Sequence, residues 1–157
     1  MKKIVALLGA SFVSFVLVAC GGAPPAPPDT PEYAAFEMRT GLMEAIAWKV
    51  AQARGMAMGE IPVDEALFQK HARDVAVLAG IIPEGFIPNS GVEGSAALPE
   101  VWTNNADFRQ KAMDLQTAAQ ALADAAAANG FEASKGMVQA VGQACGGCHR
   151  PYRRRQE

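Results

Sequence analysis

The chain is short of the side chains that most site chemistry needs: three cysteines, two histidines, two tryptophans and two tyrosines in 157 residues. No stretch is rich in strand formers, which excludes the βαβ surroundings of a thioredoxin-like dithiol. A zinc site takes about four ligands. Outside one short C-terminal cluster, the chain beyond its first nineteen residues has only His71 and Cys20 as comparable soft donors. Charge of one sign is also lacking: 14 basic residues stand against 16 acidic ones, a formal net charge of −2, so nothing in the charge balance points to nucleic acid.

The scarce residues are gathered at the C-terminal end. Cys145-Gly146-Gly147-Cys148-His149 has the Cys-x-x-Cys-His spacing of a c-type haem attachment site. There, two thiols form thioethers to one porphyrin and the adjoining imidazole binds its iron. On a helix these residues stand at i, i+3 and i+4 and share a face, so all three bonds can form together. Gly146 and Gly147 are poor helix formers, at about 1 kcal/mol each, and their missing side chains leave room for a porphyrin against the backbone. Arg150, Arg153, Arg154 and Arg155 follow. They complement the macrodipole at a solvated helix end, or steer acidic partners to the haem edge.

The other end reads as an export segment. Lys2 and Lys3 precede an apolar run from Ile4 to Ala19, short and tightly bounded for a membrane span, as expected of a secretory signal. Leu17-Val18-Ala19-Cys20-Gly21 resembles the lipobox of bacterial lipoproteins, in which the cysteine becomes the lipidated first residue of the mature chain. An unpaired Cys20 thiol would otherwise sit in an oxidising compartment. Pro24, Pro25, Pro27, Pro28 and Pro31 then make an extended tether, at about 3.1 Å per residue, able to hold a domain about 30 Å from a membrane. The expected organisation is 1–19 signal peptide, 20–31 lipidated cysteine and tether, and 32–157 folded domain. By resemblance to the sorting rule of Gram-negative lipoproteins, Gly21 after the cysteine points to the periplasmic face of the outer membrane.

Apolar periodicity predicts four helices and no strand. The first covers about 32–58, with Phe36, Arg39, Met43, Ile46, Val50 and Ala53 as its stripe. The second covers 63–79, with Leu67, His71, Val75 and Leu78. The third covers 105–128, with Phe108, Ala112, Leu115, Ala119, Leu122 and Ala126, stopped by Asn129-Gly130. The fourth covers 132–154 and aligns Met137 or Val138 with Val141, Cys145 and Cys148. Between the second and third lies a Pro- and Gly-punctuated crossover, too long to be an ordinary loop. The expected fold is all-α, an antiparallel four-helix bundle with covalently bound haem c. His71 is expected at a surface or helix interface rather than on the iron, and Met113 and Met137 in core or interface positions.

Together these features resemble the class II cytochromes c, the cytochrome c prime family. The resemblance is carried by a C-terminal haem motif, Cys145-x-x-Cys148-His149-x-x-Tyr152-Arg153, Leu98-Pro99-Glu100-Val101-Trp102 and Phe108-Arg109-Gln110-Lys111. It implies one haem c held by Cys145 and Cys148, with His149 as proximal ligand. It further implies Arg39 near a haem propionate, Arg153 flanking the proximal histidine, and Met43 facing the iron on its distal side. In the low-spin branch a methionine at that position completes six-coordination and suits electron transfer between periplasmic redox proteins. In the high-spin branch an apolar residue there leaves five-coordinate iron open to gases such as NO or CO. Family members often pair through their first two helices, making Tyr33 and Trp48 candidates for a dimer face. Neither branch implies an enzyme.

Overall fold

The computed structural model describes residues 28–155. The expected signal segment, Cys20 and most of the tether lie outside the described residues. Helix α1 spans Pro31–Ala57. Thr30 starts it by accepting the Tyr33 amide at 3.2 Å, proline occupies a first-turn position, and Glu32 lies in the first turn. Helix α2 spans Glu65–Gly80, and Asp64 caps it through the Leu67 amide at 2.9 Å. A 3-10 turn at Ile82–Gly85 opens the crossover, which reaches the one-turn helix α3, Glu100–Thr103. Helix α4 runs Asn105–Ser134, and α5 spans Val138–Tyr152 after a 3-10 turn at Lys135–Met137. No strand occurs among the described residues, only an isolated antiparallel bridge between Ala97 and Arg153.

The four long helices form a ring in which α1 packs on α2, α2 on α4, α4 on α5, and α5 back on α1. Cross-helix contacts fix an antiparallel register. Near one end of α2 the Glu65 carboxylate accepts the Phe131 amide at 2.9 Å, while near the other a Cβ at Gly80 would meet the Gln116 amide group. Lys49 of α1 pairs with Asp74 of α2, and Tyr152 of α5 packs edge-on to Phe108 of α4. The architecture is therefore the all-α four-helix bundle expected from periodicity. In its core, Phe68, Val75, Val101, Ala119, Ala126 and Val141 are at most 2% exposed; a fully buried side chain of the Val or Phe class contributes about 1.5–3 kcal/mol.

Boundaries and stripes differ from the sequence expectation in specific places. Gly130 does break the helix, at φ 76° and ψ −176°, but a short helical segment resumes at once. Regular α5 therefore starts at Val138 rather than near 132 and ends at Tyr152 rather than 154. At its end the chain turns extended because the Arg154 amide donates to Ala96 O and Tyr152 O accepts the Leu98 amide. On α2 the buried set is Phe68, His71, Ala72, Val75, Ala76 and Ala79, with Leu67 38% exposed. The wide contact with α4 turns the stripe one residue from the expected one. On α1, Leu42, Ile46, Ala53 and Met56 fill the centre, while Phe36, Met43 and Val50 are half-buried. The α4 stripe is buried as expected. Met113 is 49% exposed and lies outside the core, so of its two expected places only an interface remains; Met137 packs against the core's edge.

Candidate haem-binding site

Cys145, Cys148 and His149 lie on one face of α5, the two cysteines half-buried and His149 exposed. They continue the buried stripe of that helix, in which Val141 on one side is 1% exposed and Tyr152 on the other 4%. The stripe is thus closed at both ends and open where the two thiols stand. Both thiols are free rather than paired with each other, and burial raises their pKa, that of Cys148 to about 11. Two unpaired thiols at i and i+3, with the imidazole at i+4, suit thioether attachment of one porphyrin. The His149 pKa is lowered, first by burial and then by the Arg153 charge, so its imidazole is neutral with a lone pair to give. This donor set fits a haem c. Gly147 lies about 100° round the helix from Cys148, and a Cβ there would meet nothing within 4 Å.

Across from α5, α1 contributes Arg39 and Met43. Phe36, Met43 and Val50 recur every seven residues along one edge of the α1 stripe. Lys49 reaches α2 from the opposite edge, which leaves the Met43 edge turned toward α5. Met38 is 38% exposed, Met58 57% exposed and Met56 buried more than three turns beyond Met43, so Met43 is the α1 thioether at the level of Arg39.

Arg39 itself is 4% exposed. Its Nη1 donates to Gly85 O at 2.9 Å, and its Nη2 donates to Ser90 O at 2.5 Å and to Ser95 Oγ at 3.0 Å. Its guanidinium carbon lies 5.2 Å from the centroids of both Phe36 and Phe86. Hydrogen bonds to a charged group contribute about 1.5–3 kcal/mol each, so this buried cation is well compensated even though burial lowers its pKa. The partners all belong to the crossover, and none was foreseen from sequence. Buried serines in a loop carry no periodic signal.

The crossover also grips α5. Besides the two backbone bonds to Tyr152 and Arg154, the Tyr152 hydroxyl donates to Asp107 Oδ2 at 2.6 Å and accepts from Asn104 Nδ2 at 3.1 Å. Burial and then Asp107 push the Tyr152 pKa up to about 12. Tyr152 thus packs at the bundle end. Trp102 donates from Nε1 to Ile87 O at 2.8 Å. Arg153 is exposed and extended, next to the haem motif, bridged to Ala97. A groove of about 1150 Å³ follows the outside of the crossover between Phe86, Trp102, Arg109 and Arg154, but neither cysteine lines it. His71, expected near a surface or interface, is 1% exposed between α1 and α2, edge-on to Trp48 at 5.3 Å, with neither ring nitrogen hydrogen-bonded.

A helical bundle whose last helix carries two free thiols and an imidazole on one face is a c-type cytochrome of the four-helix kind. Residues 34–153 match the family described as cytochrome C', and the chain belongs to that family, whose members bind covalent haem c. Cytochrome c-554 of Cereibacter sphaeroides is 38% identical over 76% of this chain and 80% of its own length. Cytochrome c' of the same organism is 32% identical, over 74% and 80%. Among solved structures, cytochrome c prime from Shewanella frigidimarina aligns with a TM-score of 0.75 at 34% identity, covering 79% of this chain and 97% of that one. A nitric oxide complex of a leucine-to-alanine mutant of cytochrome c prime from Alcaligenes xylosoxidans aligns at 0.72 and 26% identity, over 80% and 97%.

Proposed function

We propose that this cytochrome binds a small diatomic gas, nitric oxide or carbon monoxide, at its haem iron, in competition with the Met43 thioether. The observation that supports it is the close likeness to cytochromes c prime whose solved structures hold nitric oxide. Cys145 and Cys148 hold the haem and His149 is its proximal ligand. Arg39 has two N–H groups beyond its three crossover bonds to offer a propionate, and Arg153 keeps the proximal side basic. Haem iron supplies the gas-binding and one-electron chemistry; the chain's own residues set access to it. The apolar α1 stripe offers no acid or base to transform a substrate. Mixing the ferrous protein with carbon monoxide tests the reading. Rapid stoichiometric binding at neutral pH supports it, and the absence of binding rejects it.

Met43 itself favours a second reading, in which the thioether holds the iron in both redox states and the protein carries single electrons between periplasmic redox proteins. Under that reading the wild type is low-spin and Met43→Ala turns it high-spin; identical spectra would exclude Met43 ligation. Under either reading the protein works in the periplasm, where Cys20 anchors it by lipid, at the outer membrane given Gly21. No helix among the described residues is long and apolar enough to cross a membrane. The half-exposed Trp48 of α1 and the 70% exposed Val77 of α2 support homodimer formation through the first two helices. Fractionation of cells expressing a Cys20→Ser variant tests the anchor: recovery of both wild type and variant in the soluble periplasm would reject it.

A further inference from the structure

From the crossover geometry we infer that Arg39 is a positioning residue for the distal face: it clamps the crossover onto α1 and so sets how firmly Met43 is held toward the iron. This rests on the reading that Met43 faces the iron. The clamp lies one turn before Met43, through Gly85 O, Ser90 O and Ser95 Oγ. Close packing adds to the hydrogen bonds, since a Cβ at Gly85 would stand 2.6 Å from Arg39 Cβ and 3.2 Å from its Cα. The same crossover then holds the end of α5 just past His149. The Arg154 amide donates to Ala96 O at 2.8 Å, and the Leu98 amide to Tyr152 O at 2.9 Å. Packed rings run in parallel, Arg39 on Phe86, Phe86 on Phe108 at 4.7 Å, and Phe108 on Tyr152 at 5.4 Å.

One continuous set of contacts therefore joins the turn preceding Met43 to the turn following His149. The separation of the two helices that flank the haem is fixed through the crossover, not only through their own contact. Loosening the clamp frees α1 to move away from α5, and the thioether is the first group to lose its reach. A displacement of about 1 Å is enough to alter reactivity by up to about 100-fold.

The test leaves Arg39 in place and weakens its grip. Gly85→Ala pushes the crossover off α1, and Ser95→Ala removes one acceptor at little risk to folding. In the ferrous holo-protein we expect carbon monoxide to associate about tenfold faster in Gly85→Ala and about threefold faster in Ser95→Ala. Amide exchange should rise in α1 near Met43 as well as in the crossover. Met43→Ala, measured alongside, separates two kinds of failure. If it changes the spectrum while both clamp variants bind gas at the wild-type rate, the clamp has no hold on the distal face and the inference is overturned. If Met43→Ala matches the wild type, the iron-facing reading of Met43 fails and the inference falls with it.

Discussion

Arg39 and His71 are both polar and both almost wholly buried, at 4% and 1% exposure, yet they are treated in opposite ways. Arg39 donates to three acceptors and lies between two aromatic rings. His71 has no hydrogen-bond partner at either nitrogen and packs edge-on to Trp48. The difference follows from what each can discard. A guanidinium cannot give up its proton in a protein, so its burial demands partners. An imidazole can go neutral and be buried as a weakly polar aromatic. One end of the bundle is therefore built around a permanent charge and the α1–α2 seam around a conditional one.

The contrast predicts unequal losses. Arg39→Leu leaves the carbonyls of Gly85 and Ser90 without their donor, and we expect the largest effect, about 2–5 kcal/mol of stability by denaturant unfolding, since each buried acceptor left unpaired costs about 1–3 kcal/mol. Gly130→Ala, away from both residues, combines a positive φ with a Cβ 2.9 Å from Glu65 Oε1. About 1–3 kcal/mol should be lost there, visible as a lower Tm.

His71→Phe should act with the opposite sign, gaining about 1 kcal/mol by removing two unsatisfied nitrogens, provided calorimetry is done near neutral pH. Its pH signature is sharper than its size. Burial lowers the His71 pKa from 6.5, helped by Lys49 and Lys70 and opposed by Asp74. The unfolded chain then binds the proton more tightly, so stability is highest above about pH 6.5 and falls as the pH drops below it. In His71→Phe that slope should flatten. If the slope is unchanged, the imidazole is not buried neutral.

The smallest effect belongs to Asp74→Asn. Lys49 and Lys70 hold the Asp74 carboxyl down at about 2, from an ordinary 3.8. Its contribution is present above about pH 4 and disappears as the pH falls through 2. In a pair this close to solvent the loss at neutral pH should stay under about 1 kcal/mol, and salt should reduce it.

Much of the bundle was legible because helices announce themselves by period. Every α4 position from Phe108 to Ala126 expected inside is inside, and Gly130 does break the helix, though helical turns resume after it. On α5, Cys145 and Cys148 could be put on one face from their spacing alone. Where period carries little information the reading failed. Leu67 and Phe68 are adjacent and equally apolar, and only the packing of α2 on α4 chose Phe68. His71 does lie at a helix interface, as expected, but its full burial was not legible, because sequence gives polarity and not the neighbours that make a neutral imidazole tolerable. The clamp was invisible for a related reason. Ser90 and Ser95 in a Pro- and Gly-rich crossover look like solvated loop residues until Arg39 is seen between them.

The three bonds of Arg39 span 46, 51 and 56 residues of chain, whereas α1 and α2 meet through a short connection. Closing such long loops costs entropy that local helix contacts do not, so we expect the α1–α2 hairpin to form before the clamp, which φ-value measurement at Arg39 would check. Interactions made that late act on escape from the folded state rather than on arrival. The clamp is then a device for residence time: it determines how long a finished molecule lasts before it opens, which matters more than its speed of assembly for a protein that carries its cofactor for life.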